Sequence, residues 1–223
     1  MTSKRKQIKK TPISIFFSER QIPKEFTKIK FDEYSSYSFF KSDQKIFVNL
    51  SKISNLNTLQ KNYRLLLIGS AVKRNCGSGN FFIDYFGCSK SEIKNFFLGW
   101  KLADYAFENY KSKKKLQNKA TIVNQYEKET KLISESYFYV RDLINTPANI
   151  LGPEEIFQSS KKFLNNFEVV NLSTKKKLEK DFPLISAVGR GADDSKKPIF
   201  CEFKLKKKKQ KKKIFLIGKG VSF

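Results

Sequence analysis

Two hydrophobic periods alternate along this sequence from Ser91 onward, and that alternation restricts the fold more than any other feature. Ile93, Phe96, Phe97, Trp100, Ala103 and Phe107 recur at helical spacing, so SEIKNFFLGWKLADYAFENY is predicted to be an amphipathic helix capped by Ser91. Ile122, Tyr126, Ile133, Tyr137, Val140 and Ile144 share one face of a second, long helix. Pro147 ends it, because the residue before a proline is pushed out of the helical region. A third helix opens at Gly152-Pro153-Glu154-Glu155, where proline suits the first helical position and the acids complement the helix dipole. Its expected buried side is Phe157, Phe163, Leu164 and Phe167. FEVVNLS (167–173) then reads as a strand, KKKLEKD (175–181) as a short helix, and FPLISAVGRGA as a helix or turn that ends in glycines. PIFCEFKL (198–205) and IFLIG (214–218) follow as strands. Helices and strands that alternate in this way predict an α/β layer fold.

The first half is mixed as well. IFVNL (46–50), RLLLIGS (64–70, closed by Gly69) and FFIDYFG (81–87) read as strands. Residues 1–115 are expected to form an N-terminal α/β domain, the polar KSKKKLQNK (111–119) a boundary, and residues 120–223 a second domain. No internal repeat is apparent. A chain of 223 residues, 39% hydrophobic with 22 Phe, can bury a sizeable core. Its apolar runs, Leu65–Ile68 and Ile13–Phe17, fall far short of the roughly 20 residues that span a bilayer. The N-terminus has a basic start but neither the apolar length nor the small-residue cleavage site of a signal peptide. The expectation is a soluble, cytoplasmic protein with no membrane partner.

Composition removes several chemistries. The chain has no histidine, which excludes Ser-His and Cys-His nucleophile systems and His-ligated metals within it. Cys76, Cys88 and Cys201 are odd in number and widely spaced, without the pairing of a disulfide framework or a zinc knuckle. The net charge of +24 invites a nucleic-acid reading. Yet only six of the 45 basic residues are Arg, the residue on which readers of bases lean, and Lys, Asn, Ile and Phe together are the set encoded by AT-rich codons. Charge alone therefore leaves a lysine-rich nucleic-acid-binding module as the lesser alternative. The densest run, Lys204–Lys213, is predicted to be a solvated loop between strands.

Three stretches stand in a telling order: RDLINTPANILGPEEI (141–156), FPLISAVGRGADDSKKPIF (182–200) and IFLIGKGVSF (214–223). With NTPAN followed by Pro-Glu-Glu, and a strand ending in Gly-Lys-Gly-Val-Ser-Phe, they resemble the cytosol (leucyl) aminopeptidases, which are two-metal exopeptidases. The resemblance is close over 120–223 and loose before it, where GWKLADYAFENY carries most of it. It implies an N-terminal α/β domain followed by the start of an α/β catalytic domain with a mixed central sheet. It also implies peptide substrates with a free N-terminus, two divalent ions (manganese or zinc) and a homo-oligomer, a hexamer in the family.

Lys219 matches the family's metal-site lysine. The family's motif continues past the Phe with an Asp that bridges both metals, and its other carboxylates, second active-site lysine and arginine lie further along. The resemblance thus implies an N-terminal portion of the enzyme, inactive and binding no metal by itself, or a non-catalytic structural subunit of an aminopeptidase. Lysine ligates a metal only as the neutral amine, so a pKa near about 10.4 must be driven down by the ion and by burial. By spacing alone Gly-Lys-Gly reads as turn chemistry, and it is no phosphate loop because Gly220 follows the lysine. NTPAN reads as helix-stop chemistry, with Asn145 and Asn149 bonding local backbone around Pro147. Gly189, Gly191, Asp193 and Asp194 read as an exposed turn rather than a metal site.

Overall fold

A computed structural model describes residues 10–16, 23–24, 37–41, 45–112, 119–122, 126–206 and 214–220. The chain divides into two compact units, Met1–Val140 and Arg141–Phe223. Both mix helix and strand, as the alternating periods predict. No helix among the described residues is long and apolar enough to cross a membrane.

The first unit is built on a five-stranded sheet in the order β2-β3-β1-β4-β5, from β1 (Lys10–Phe16), β2 (Ser38–Lys41), β3 (Ile46–Asn49), β4 (Gly79–Phe86) and β5 (Ala120–Ile122). The pairs β1–β3, β1–β4 and β4–β5 are parallel, and β2 runs antiparallel along the edge. Side chains alternate between the faces of a strand, so register decides what each face carries. Ile13 and Ile15 lie opposite Ile46 and Val48, and all four are fully buried. The next positions give the other face an aromatic row, with the Phe16 ring stacked 5.1 Å from that of Phe86 and 6.2 Å from that of Phe47.

Two helices complete the core on the aliphatic side. Helix α1 (Thr58–Cys76) contributes Leu65, Ile68, Val72 and Cys76, and α2 (Lys90–Leu102) contributes Ile93, Phe96, Phe97 and Trp100. They meet through glycine: a Cβ on Gly69 would lie 2.1 Å from the Phe96 carbonyl oxygen, and one on Gly99 would lie 1.9 Å from that of Leu66. Their C-terminal ends are joined by the ion pair of Lys73 with Asp104, and the buried Lys73 ammonium lies 5.6 Å from the centre of the Trp100 ring.

Here the structure corrects three expectations. RLLLIGS is the middle of α1, not a strand: the Asn57 side chain caps the helix by accepting from the Gln60 N–H, and the buried positions 65, 68, 72 and 76 keep helical spacing. The cap of α2 is Ser89, not Ser91, because Ser89 and Glu92 form a reciprocal capping box, with N–H bonds of 3.2 Å to the hydroxyl and 2.7 Å to the carboxylate. This helix stops at Leu102, leaving Ala103 and Phe107 outside it. Ile122 belongs to β5, paired through Phe81, and the long helix α3 begins later, at Glu127, and runs to Asn145. Its buried positions are Thr130 and Ser134, whereas Tyr137, Val140 and Ile144 of the predicted apolar face are exposed.

In the second unit the elements up to residue 205 fall where the periods place them. Helix α4 (Pro153–Phe163) precedes β6 (Phe167–Ser173), then come α5 (Lys175–Asp181), α6 (Pro183–Val188) and β7 (Phe200–Leu205). The strands β6 and β7 pair antiparallel, with an irregularity between Val169 and Asn171. Phe157 packs on Phe203 at 6.1 Å, Phe182 stacks on Phe200 at 4.1 Å, and Leu178 is buried. Of the expected inner face of α4, Phe157 is buried but Phe163 is 42% exposed. IFLIG is not a strand: residues 214–218 are irregular, and Ile214 to Ile217 are exposed because no described strand pairs with them. Of the Lys204–Lys213 run, Lys204 and Leu205 belong to β7, and 207–213 lie outside the described residues.

Candidate functional site

The first two of the three motif stretches meet in space. Helix α3 stops at Asn145, where the Thr146 N–H and hydroxyl both donate to the Asp142 carbonyl at 3.0 and 2.7 Å. The Pro147 carbonyl then accepts the N–H groups of Ile150 and Leu151, each at 2.9 Å, which closes NTPAN into a turn. Gly152 begins α4, and its N–H donates to the Glu155 carboxylate at 2.8 Å. That N–H first, then the backbone N–H of Glu155 itself and the Lys196 ammonium at 3.2 Å, hold the Glu155 carboxyl below its usual range. Lys196 belongs to the second stretch, so Glu155 latches the NTPAN–GPEE corner to DDSKK. The Lys196 stem lies over Gly152, where a Cβ would come within 2.4 Å of its Cδ.

The second stretch is a pair of short 3-10 turns, Gly189–Gly191 and Asp194–Lys196. Lys197 ties the first turn by donating to the Ala192 carbonyl at 2.7 Å and to that of Arg190 at 3.4 Å. Asp193 accepts from the Ser195 N–H at 2.9 Å and from its hydroxyl at 2.8 Å, and these bonds hold its carboxyl below the usual range. Asp194 is fully exposed. Both aspartates therefore act as turn and surface groups.

Lys219 is not brought to either stretch. It lies in the irregular, exposed segment 214–220, and the glycines on both sides of it have open space around them. Among the described residues no group of three His, Cys, Asp or Glu side chains could hold a metal ion. A pair of divalent ions needs several hard oxygen ligands at once. One amine, in a sequence without histidine, does not supply that donor set.

Sequence reasoning missed the Glu155–Lys196 latch. Half of it was legible, since an acid two residues after a helix-starting proline suits a capping contact. The partner, 41 positions away, leaves no local signal.

Comparison with known proteins places these stretches. Residues 138–223 match the catalytic domain of the cytosol aminopeptidase family. A protein of Aquifex aeolicus named "Probable cytosol aminopeptidase" is 31% identical over 144 residues, which cover 60% of this chain and 29% of that protein. One of the same name from Corynebacterium glutamicum is 36% identical over 97 residues, covering 43% of this chain and 19% of that one. The chain thus spans less than a third of the length of these relatives. Among solved structures, the cytosol aminopeptidase of Coxiella burnetii superposes with a TM-score of 0.64 at 21% identity, over 89% of this chain and 44% of that one. The bottromycin maturation enzyme BotP in complex with Mn gives 0.63 at 14% identity, over 86% and 44%. Over residues 138–223, then, this chain matches the catalytic domain of the cytosol aminopeptidase family, and in fold it resembles that family across most of its length.

Proposed function

We propose that these residues are part of a leucyl-aminopeptidase-type metalloexopeptidase, a cytoplasmic homo-oligomer that releases N-terminal amino acids from peptides. The match of residues 138–223 to the family's catalytic domain is the observation that carries this reading. The unit Met1–Val140 is its N-terminal domain, and Arg141–Phe223 is the opening of its catalytic domain. Lys219 is the metal-site lysine of the complete enzyme, whose two divalent ions, of the manganese or zinc class, need a set of carboxylates that the described residues do not bring together. The donor set of these residues does not fit the pair, so no catalytic step is assigned to them. Their role is structural: the Glu155–Lys196 latch fixes the corner after α3, and Lys219 awaits the groups that would complete its surroundings.

A chimaera tests this. Residues 1–223 would be joined to the remaining catalytic segment of the Aquifex aeolicus relative and assayed with manganese and leucyl-anilide. The reading expects manganese-dependent release that falls about a hundredfold or more in Lys219→Ala, the scale on which losing a group that stabilises a metal-polarised transition state acts. A folded chimaera without release, or one indifferent to that substitution, would refute the assignment. The polypeptide 1–223 alone is expected to give no turnover above the blank.

A further inference from the structure

We propose that the segment 189–197 is a preassembled strap held to the start of α4 by one titratable latch, the Glu155 carboxylate, and released as a body when that carboxylate takes up a proton. Two adjacent lysines have separate roles in it. Lys197 holds the strap to itself, its ammonium donating to the carbonyls of Ala192 at 2.7 Å and Arg190 at 3.4 Å, with the Asp194 carboxylate 3.7 Å away. The Ala192 N–H donates to the Gly189 carbonyl at 3.1 Å, and the Lys196 N–H to that of Asp193 at 2.8 Å. Carbonyl acceptors do not titrate, so acid leaves these bonds in place. Lys196 turns the other way: its stem covers Gly152, and its ammonium meets the Glu155 carboxylate at 3.2 Å. Gly189 packs under Pro198, where a Cβ would come within 2.3 Å of the ring, and this fixes the neck of the strap.

The latch depends on charge. As a carboxylate, Glu155 accepts from the Gly152 N–H at 2.8 Å and from the Lys196 ammonium together. Protonation weakens the first bond, since an ionised acceptor binds roughly twice as strongly as a neutral one, and it removes the attraction in the second. Among the described residues Lys196 is the cation that acts on Glu155, and it also acts on Asp193. Of the other charged neighbours, Glu154 accepts from Gln158 at 2.7 Å, and Asp194 faces Lys197. Asp193 is a second acid that titrates here, but it accepts from Ser195 within the strap, so its protonation loosens the strap's own turn and not its attachment. The Gly152 N–H first, then the Glu155 N–H and Lys196, hold the Glu155 carboxyl below its ordinary 4.5. A lowered folded pKa means that the attachment is at full strength above 4.5 and is lost as pH falls through the folded value.

The test is an NMR titration of the isotope-labelled full chain from about pH 6.5 to about pH 3.5, a range that brackets ordinary carboxyl groups. The Gly152 amide resonance should follow a carboxyl titration with a midpoint below 4.5. Its hydrogen-exchange protection should fall at least about threefold across that midpoint, the scale of a charge-assisted bond at a partly exposed site. The Overhauser contact between the Lys196 stem and the Gly152 α-protons should vanish in step, while the Ala192 amide stays protected. In Glu155→Gln the Gly152 amide should lose its titration and show the low protection at every pH. Lys196→Met, which keeps the stem without the charge, should raise the midpoint toward 4.5. Asp193→Asn should leave the Gly152 titration in place. Loss of protection at Ala192 together with Gly152 would show a turn that melts rather than detaches, and would overturn the proposal. So would a Lys196–Gly152 contact that outlasts the titration, or a Gly152 amide that titrates unchanged in Glu155→Gln.

Discussion

Replacing Gly99 by alanine should pry the first unit open, and the structure sets the size of the effect. The new Cβ would lie 1.9 Å from the carbonyl oxygen of Leu66 and 2.7 Å from its carbon, atoms of α1 that cannot rotate away as a side chain could. Ordinary contact begins near 3.4 Å. The helices must therefore separate by roughly 1.5 Å, and overpacking on that scale costs about 3 kcal/mol, the upper part of its usual range. Alanine returns about 1 kcal/mol through its better helix propensity. The net prediction is a loss of about 2 kcal/mol. With a urea slope of about 2 kcal/mol per molar, the unfolding midpoint should fall by about 1 M. Trp100, the single tryptophan, is 2% exposed in this core and reports the transition by fluorescence. Gly69→Ala should behave alike, and the double variant should cost less than the two losses added, because one separation relieves both clashes. Leu59→Ala, at an exposed position on the same helix, should shift the midpoint by no more than about a quarter of that. A Gly99→Ala chain as stable as the parent, or more stable, would refute the close crossing.

Acid sensitivity and thiol chemistry supply further checks. Burial alone would raise the Glu92 carboxyl, but the Ser89 N–H and hydroxyl and the Lys61 ammonium outweigh it and hold it below its ordinary 4.5. A lowered folded pKa means stability present above 4.5 and lost as pH falls through the folded value. Glu92→Gln should therefore flatten the decline of the urea midpoint on the acid side, and an unchanged decline would contradict the capping box. Burial pushes the Cys76 thiol up to about 11, and burial with Glu92 nearby pushes that of Cys88 up to about 12. At about pH 8 a short iodoacetamide pulse, read by peptide mapping, should leave both largely unlabelled in the native chain and label both in urea, since the thiolate is the nucleophile. Fast native labelling of Cys76 would contradict its burial.

What could be read in the sequence depended on how local its cause was. FEVVNLS and KKKLEKD became β6 and α5 at their expected bounds, because alternation and a single buried Leu178 settle each within a few residues. The run Leu65–Ile68 misled because four apolar residues fit either period, and the evidence for a helix lay outside it, in Asn57, Val72 and Cys76. For Ile122, Tyr126 and the later apolar positions the spacing was helical, but β4 offered an edge that took residues 120–122 first. IFLIG has the pattern of a strand, and pattern does not supply a hydrogen-bonding neighbour. At the candidate site, the turn roles of NTPAN, Asp193 and Asp194 followed from residue type, while the latch between Glu155 and Lys196 joins positions that only the fold brings together.

The claim on which the functional account turns is that Lys219 belongs to a metal pair whose oxygen cage the described residues do not assemble. Calorimetric titration of the purified 223-residue polypeptide with manganese chloride, followed by elemental analysis after desalting, tests it most directly. The account predicts no saturable uptake and no metal retained. Two tightly held ions per chain, released by Lys219→Ala, would contradict it.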